Sequence, residues 1–267
     1  MNSNNPVLTR IVDDGHSRQG YQDPYAGYGR GGAPTQTTDR PMTVDDVVTK
    51  TGITLGVLVA FALVTFGVST VNMGLAMLLT IGGGIAAFIT VLVSVFTRKY
   101  GSRTVTLLYA ALQGLFLGGF SLLVSGWAVG DADAGALIGQ AILGTVGVFV
   151  GMLVVYKTGA IRVTPKFTRF ITAAIIGVAV LALGNLLLAI FTDANPLRGG
   201  GTLAIIFSLV CIVLAALSFL QDFDEADKMI RAGAPSTMAW GIALGLTVTL
   251  VWLYTEILRL LSYFQRD

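Results

Sequence analysis

Residues 51–97 read TGITLGVLVAFALVTFGVSTVNMGLAMLLTIGGGIAAFITVLVSVFT and contain no Asp, Glu, Lys or Arg. A helix needs about 20 apolar residues to cross a hydrocarbon core about 30 Å thick. This stretch is long enough for two crossings, and residues 71–74 (VNMG) predict a break between them. The stretch therefore indicates two membrane-spanning helices joined by a short turn.

Further uncharged stretches follow, each long enough for one span: residues 104–130, 134–156, 170–192, 199–221 and 232–255. The sequence therefore predicts an all-α membrane protein with seven transmembrane helices. The predicted spans are residues 52–69, 75–96, 104–125, 136–156, 170–191, 202–220 and 238–261.

The overall composition supports a membrane protein. Of 267 residues, 54% are hydrophobic and 12% are charged, and the mean hydropathy is +0.76. Soluble domains carry about 25% charged residues. This composition excludes a soluble enzyme and a disordered chain, and the single cysteine, Cys211, excludes a disulfide scaffold.

The few basic residues are concentrated at one end of the spans, and their distribution predicts the orientation. The loops at the other end carry aspartates and one base, Arg198. The positive-inside rule then predicts a multi-pass protein of the cell membrane, with a cytoplasmic N-terminus and an external C-terminus. The basic residues next to the spans at the predicted cytoplasmic end are Arg40, Lys50, Arg98, Lys99, Arg103, Lys157, Arg162, Lys166, Arg169, Lys228 and Arg231.

Residues 1–42 are polar and rich in Gly and Tyr, which predicts a disordered cytoplasmic tail before a seven-span domain at 43–267. Thr43 is expected to cap a short surface helix that leads into the first span, with Asp46 in its first turn. Thr164 followed by Pro165 predicts a second helix start. Glycines four residues apart predict close helix packing, at 52/56, 114/118, 147/151 and 241/245, and glycines 82–84 predict a bend or a close contact.

The chain lacks the residues that membrane enzymes use. Its only histidine, His16, lies in the predicted tail, so zinc-protease ligands and a histidine base are missing. No Gly-rich phosphate loop with a lysine is present, and no second Asp accompanies Asp222 inside the spans. We therefore expect no catalytic activity and no cofactor.

Polar residues inside a span are costly and suggest function. On span seven, a stripe at three- and four-residue spacing predicts a helix that faces other helices or an aqueous cavity. An equally supported interpretation is a Glu256–Arg259 ion pair near the outer interface, with Arg259 reaching out to water. The stripe consists of Gly245, Thr249, Trp252, Glu256, Arg259 and Tyr263.

Asp222 begins a run of acids at the inner end of span six, DFDEAD at 222–227. Taken by composition, the run indicates a hydrated loop with mixed charge, where Arg98, Lys99, Lys228 and Arg231 could pair with the acids. Uncharged polar residues lie within spans three, four and five: Gln113, Gln140 and Asn185.

Several stretches resemble the Bax-inhibitor/YccA family of the TMBIM superfamily, with the greatest likeness to its actinobacterial branch. They are RPMTVDDVV at 40–48, YAALQGLFLG at 109–118, YK at 156–157 with IRVTP at 161–165, FLQDF at 219–223 and GLTVTLVWLY at 245–254. The resemblance implies six helices around a central seventh. It also implies a pH-sensitive calcium leak, in which two aspartates share a proton and pair with an arginine.

The resemblance is carried over residue by residue. Asp222 matches the aspartate of helix six and is the predicted calcium contact, and Arg98 lies near the pairing arginine. With Arg259 as the anchor, Thr249 stands where the helix-seven aspartate is expected, and Gln113 stands where many relatives carry an acid. Glu256, two helical turns beyond Thr249, would add an acidic group to the ion path at another depth in the membrane. Because Thr249 cannot ionise, the resemblance implies only one of the two acids.

Three functions compete. The first is a calcium or cation leak with Asp222 as its acid. The alternative is a non-conducting regulator of membrane proteases or stress responses that acts through protein contacts. A small-molecule transporter ranks last, because only glycines 82–84 hint at a broken helix. The expected partners are the lipid bilayer, calcium and a membrane protein, and the net charge of +2 gives no indication of nucleic-acid binding.

Overall fold

The computed structural model describes residues 40–96, 101–129, 134–192 and 194–265, with no side-chain description for 127–129. Within these residues, seven helices are long and apolar enough to cross a membrane, as predicted. They are α1 (Val44–Val71), α2 (Met73–Phe96), α3 (Arg103–Val129), α4 (Ala134–Thr158), α5 (Pro165–Thr192), α6 (Thr202–Arg231) and α7 (Ala239–Phe264). We call the end at which α1, α3, α5 and α7 begin the proximal end, and the other end the distal end.

The helix starts predicted from sequence are confirmed. The Asp46 N–H donates to Thr43 Oγ1 at 3.3 Å, and the Thr43 N–H donates to Asp46 Oδ2 at 3.0 Å. This reciprocal capping satisfies N–H groups that the first turn leaves without helical partners. The α1 helix then continues into the membrane span without a break, so the separate surface helix is not formed. At the start of α5, Thr164 Oγ1 accepts from the Phe167 N–H at 3.2 Å.

One residue separates α1 from α2. Asn72 has an extended backbone (φ −149°, ψ 96°), and its side-chain oxygen accepts from the Leu75 N–H at 3.0 Å. The break predicted at 71–74 is therefore confirmed. The α2 helix continues through glycines 82–84, so these residues serve a close contact rather than a break.

The prediction of a hydrated loop at 222–227 is wrong, because α6 stays helical to Arg231. Lys228 Nζ lies 2.5 Å from Asp224 Oδ2, and Arg231 Nη2 lies 2.7 Å from Asp227 Oδ2. Each pair spans four residues, so both join neighbouring side chains on the helix surface and support the extension. The acids of this run are thus held on one rigid helix.

The helices do not pack evenly. The α7 helix packs against α1, α3, α4 and α6, whereas α2 packs on α1 and α3, and α5 packs on α6. The largest buried core joins α6 to α7, through residues such as Phe219, Phe223, Leu246 and Leu253. The resemblance implied that all six other helices surround α7. For α2 and α5 this stays a prediction.

Close approach of α1 and α3 depends on glycine. A Cβ atom at Gly114 or Gly118 would collide with a backbone carbonyl of α1, at Leu58 or Ala62. Gly83 lies equally close to the backbone of α3, at Leu112. The glycine pairs 52/56 and 147/151 face open space instead, so only some of the predicted pairs serve packing within the chain.

Residues Arg40–Met42, which we call the strap, join the start of α1 to the turn between α6 and α7. The Met42 N–H donates to Ala234 O at 2.8 Å, and the Ser236 N–H donates to Arg40 O at 2.9 Å. Met42 is 2% exposed and belongs to the core between α6 and α7. The packed domain therefore includes Arg40–Met42, which the sequence assigned to the tail.

Candidate functional site

Asp222 and Thr249, matched to the acid positions of the family, lie side by side at the proximal end. Thr249 Oγ1 donates to Asp222 Oδ2 at 2.7 Å, and lies 3.3 Å from the carbonyl oxygen of Gly245. The α6 helix supplies the carboxylate and α7 supplies the hydroxyl, so the contact joins the two helices. The family resemblance implied that these positions are neighbours, and the hydroxyl of Thr249 reaches the carboxylate as a donor.

Asp222 borders two cavities. The larger, about 350 Å³, lies between α2, α3 and α7 and reaches both Asp222 and Thr249. The smaller, about 270 Å³, lies along α6 and α7 and is also lined by Glu225. Gly241 and Gly245 line both, because residues without side chains leave the space beside the carboxylate open. Asp222 is thus the acidic group common to the two cavities.

Glu256 and Arg259 form a buried ion pair towards the distal end. Arg259 Nη1 donates to Glu256 Oε1 at 2.8 Å, and the two side chains are 10% and 4% exposed. Ser208 Oγ of α6 donates to Glu256 Oε2 at 3.2 Å. The Arg259 guanidinium also lies 5.7 Å from the centre of the Phe120 ring on α3. The predicted ion pair is confirmed, but Arg259 is enclosed by protein and does not reach out to water.

Arg198, in the loop before α6, lies near this pair. Partial desolvation, followed by the positive charge of Arg259, lowers the pKa of Arg198 below its usual value, while Glu256 raises it. The carbonyl oxygen of Arg198 accepts from the Tyr263 hydroxyl at 3.4 Å. The distal end of α7 is therefore fixed to this loop as well as to α3 and α6.

Apolar packing separates the two polar sites. Thr249 and Glu256 are two helical turns apart, about 10 Å along α7. Between them Leu253 is completely buried, and Ala215 and Phe219 of α6 belong to the same core. In the structure, the proximal cavities therefore end below the distal ion pair.

The remaining predicted site residues are not brought to Asp222. Gln113 is partly buried on α3 and is not among the residues lining either cavity. Arg98, predicted to pair with Asp222, lies outside the described residues, as does Lys99.

The described residues contain no group of three or more His, Cys, Asp or Glu that could hold a metal ion. Calcium takes six to eight oxygen ligands, and Asp222 with Thr249 supplies a fraction of them.

The polar stripe on α6 was not predicted from the sequence. Small and polar residues follow three- and four-residue spacing along α6, and they face the polar stripe of α7. The most consequential of them is Ser208, the partner of Glu256. The spacing was visible in the sequence, but short hydroxyls and alanine blend into an apolar span. The α6 stripe consists of Ser208, Cys211, Ala215, Ser218 and Asp222.

Comparison with known proteins agrees with these observations. A family model described as Bax inhibitor 1 like matches residues 5–266 of the chain. A search of curated proteins found no match.

Proposed function

The chain is an integral membrane protein that belongs to the Bax inhibitor 1-like family, and we propose that it is a proton-sensitive leak for calcium or a similar cation. We further propose that it has no catalytic activity. The observation that carries the leak proposal is the position of Asp222, whose carboxylate borders both proximal cavities.

The chemistry of this position suits a hard cation. Calcium prefers oxygen ligands, and the carboxylate of Asp222 lies beside the hydroxyl of Thr249 and the carbonyl of Gly245. A single negative charge attracts a cation into the cavity without binding it permanently. Protonation of Asp222 removes that charge, so the entry of cations would follow pH.

The response would come from one acid. Thr249 cannot ionise, so no proton is shared between two carboxyls in this chain. We therefore propose that Asp222 alone sets the pH dependence. A single acid gives a gradual dependence on pH, whereas a coupled pair titrates in two separated steps.

The orientation belongs to the same proposal. Basic residues such as Lys157, Arg162 and Lys166 lie at the proximal end, which the positive-inside rule assigns to the cytoplasm. The cavities that reach Asp222 would then open towards the cytoplasm of the cell, with the C-terminus outside. Conduction would require α6 and α7 to separate along Phe219 and Leu253.

Calcium flux into liposomes tests the proposal at mildly acidic and neutral pH. We expect the wild-type protein to show a pH-dependent flux and Asp222→Asn to show a flux that does not change with pH. Asp227→Asn is the matched control, because Asp227 is an acid of the same helix that pairs with Arg231. It should behave like the wild type. A pH response that survives in Asp222→Asn would refute the role of this acid.

The alternative, a non-conducting regulator, is favoured by one feature. The α5 helix packs on α6 and leaves large apolar side chains exposed, including Phe170, Val180 and Ile190. Such a face suits lipid or a second membrane protein. Flux no greater than that of empty liposomes, together with co-purifying proteins that disappear when residues 1–39 are deleted, would favour the regulator.

A further inference from the structure

Two cations approach one indole ring at the proximal end. Lys50 Nζ of α1 and the Arg103 guanidinium carbon of α3 each lie 5.7 Å from the ring centre of Trp240 on α7. Lys50 Nζ also donates to Ser236 O at 2.5 Å, and Thr106 Oγ1 donates to Trp240 O at 3.0 Å. Three helices therefore hold these two positive charges near each other.

The charges of Lys50 and Arg103 are not neutralised by described carboxylates. In the described ranges, Arg40, Lys228, Arg231 and Arg259 form ion pairs, whereas Lys50 and Arg103 form none. Arg103 is also the first residue of α3, where free N–H groups and the helix dipole add positive potential. This corner of the bundle favours an anion.

An apolar cleft begins beside the two cations. The larger cavity is lined by Thr106, whose hydroxyl donates to Trp240 O, and by Ser102 and Gly241, which are next in sequence to Arg103 and Trp240. Its volume of about 350 Å³ lies within the range of small-ligand pockets, roughly 300–1,000 Å³. The walls are mostly aliphatic: Val91 and Val95 of α2, Val105 of α3, and Leu244 and Val248 of α7.

We propose that this corner binds an anionic phospholipid. The phosphate lies between Lys50 and Arg103 beside Trp240, and the first part of an acyl chain lies in the cleft between α2 and α7. Tryptophan and basic side chains are enriched where a membrane meets water, and basic pockets between transmembrane helices bind lipid headgroups. The carboxylate of Asp222, deeper in the same cavity, repels the phosphate and keeps it at the mouth.

Native mass spectrometry of the purified full chain, titrated with phosphatidylglycerol or phosphatidylcholine, tests this site. We expect preferential retention of phosphatidylglycerol by the wild type. Lys50→Gln with Arg103→Gln should weaken it about 30-fold, which corresponds to about 2 kcal/mol for two basic residues. Arg103→Gln alone, at an exposed position, should weaken it about fivefold and serves if the double variant folds poorly.

The matched control is Lys166→Gln with Arg169→Gln, which removes the same charge from exposed positions at the start of α5. It should leave retention of phosphatidylglycerol unchanged. Equal losses in the two double variants would show general attraction of anionic lipid to a basic surface and overturn the site. No loss in either would overturn it as well.

Two further measurements distinguish a lipid from a free phosphate. Val95→Trp places a large ring at an exposed wall of the cleft, and should reduce lipid retention without changing charge. Inorganic phosphate should not displace the lipid; displacement, or an unchanged Val95→Trp variant, would overturn the placement of a chain in the cleft. A chain in this cleft leaves the smaller cavity along α6 and α7 as the cation route to Asp222. The lipid measurements do not depend on flux, so their failure leaves the leak proposal standing.

Discussion

Glu256→Gln should destabilise the protein because it leaves a buried charge without its counter-ion. Glu256 is 3% exposed and Arg259 is 8% exposed, and their charged atoms lie 2.8 Å apart. Removing one member of a buried ion pair costs about 3–5 kcal/mol. The Phe120 ring still faces the guanidinium and contributes about 0.5–2 kcal/mol, and glutamine can still accept a hydrogen bond. We expect a loss of about 3 kcal/mol.

The magnitude separates two physical explanations. A hydrogen bond between membrane helices is worth about 0.6 kcal/mol on average. If Glu256 acts only as a hydrogen-bond acceptor, the loss should be near that smaller value. If Glu256 neutralises Arg259, the loss should be several times larger.

The free energy of unfolding can be measured in detergent micelles by titration with SDS, followed by circular dichroism. The double variant Glu256→Gln with Arg259→Met removes both charges and should return to within about 1 kcal/mol of the wild type, since paired removal is far less costly. Ser208→Ala is the control for the hydrogen bond from α6 to Glu256, with an expected loss of about 0.6 kcal/mol. A single variant as stable as the wild type, or a double variant less stable than the single one, would refute the reasoning.

Two further predictions concern the proximal site and the helix packing. Thr249→Asp places a second carboxyl at hydrogen-bond distance from Asp222, so calcium flux into liposomes should change with pH in two separated steps and over a wider pH range than in the wild type; a single step over the same range in both proteins would contradict this. Gly118→Leu should destabilise the protein by more than about 2 kcal/mol in the SDS titration, because its side chain meets the α1 backbone. Gly147→Leu, which faces open space, is the control and should change stability by less than about 0.5 kcal/mol.

The architecture could be predicted because the constraints of a bilayer are visible in composition. Local chemistry is enough to predict the uncharged spans, the Thr43 cap and the break at Asn72. None of these depends on which helices pack against each other. The end of α6 was harder to predict. The acids after Asp222 favour water, but ion pairs within the helix, such as Asp224 with Lys228, let the helix continue.

The candidate site was only partly predictable. Spacing placed Thr249, Glu256 and Arg259 on one face of α7, and the structure confirms that this face is buried. What spacing cannot give is the partner across the interface, because that depends on the rotation of α6. The contact of Ser208 with Glu256 needed three-dimensional information. The same holds for Trp240, because Lys50 and Arg103, which contact its ring, lie on two other helices.

The strap has a consequence for biosynthesis. Met42 leaves the ribosome well before α6 and α7, yet its surroundings are built by these two helices. At 5–20 residues per second, α7 is completed roughly 10–45 s after Met42 has been made. During this interval the strap has no native place to dock and is open to chaperones and proteases. Docking of the strap is therefore a late event of assembly, and a nascent chain that stalls before α7 carries an exposed strap that marks it as unfinished.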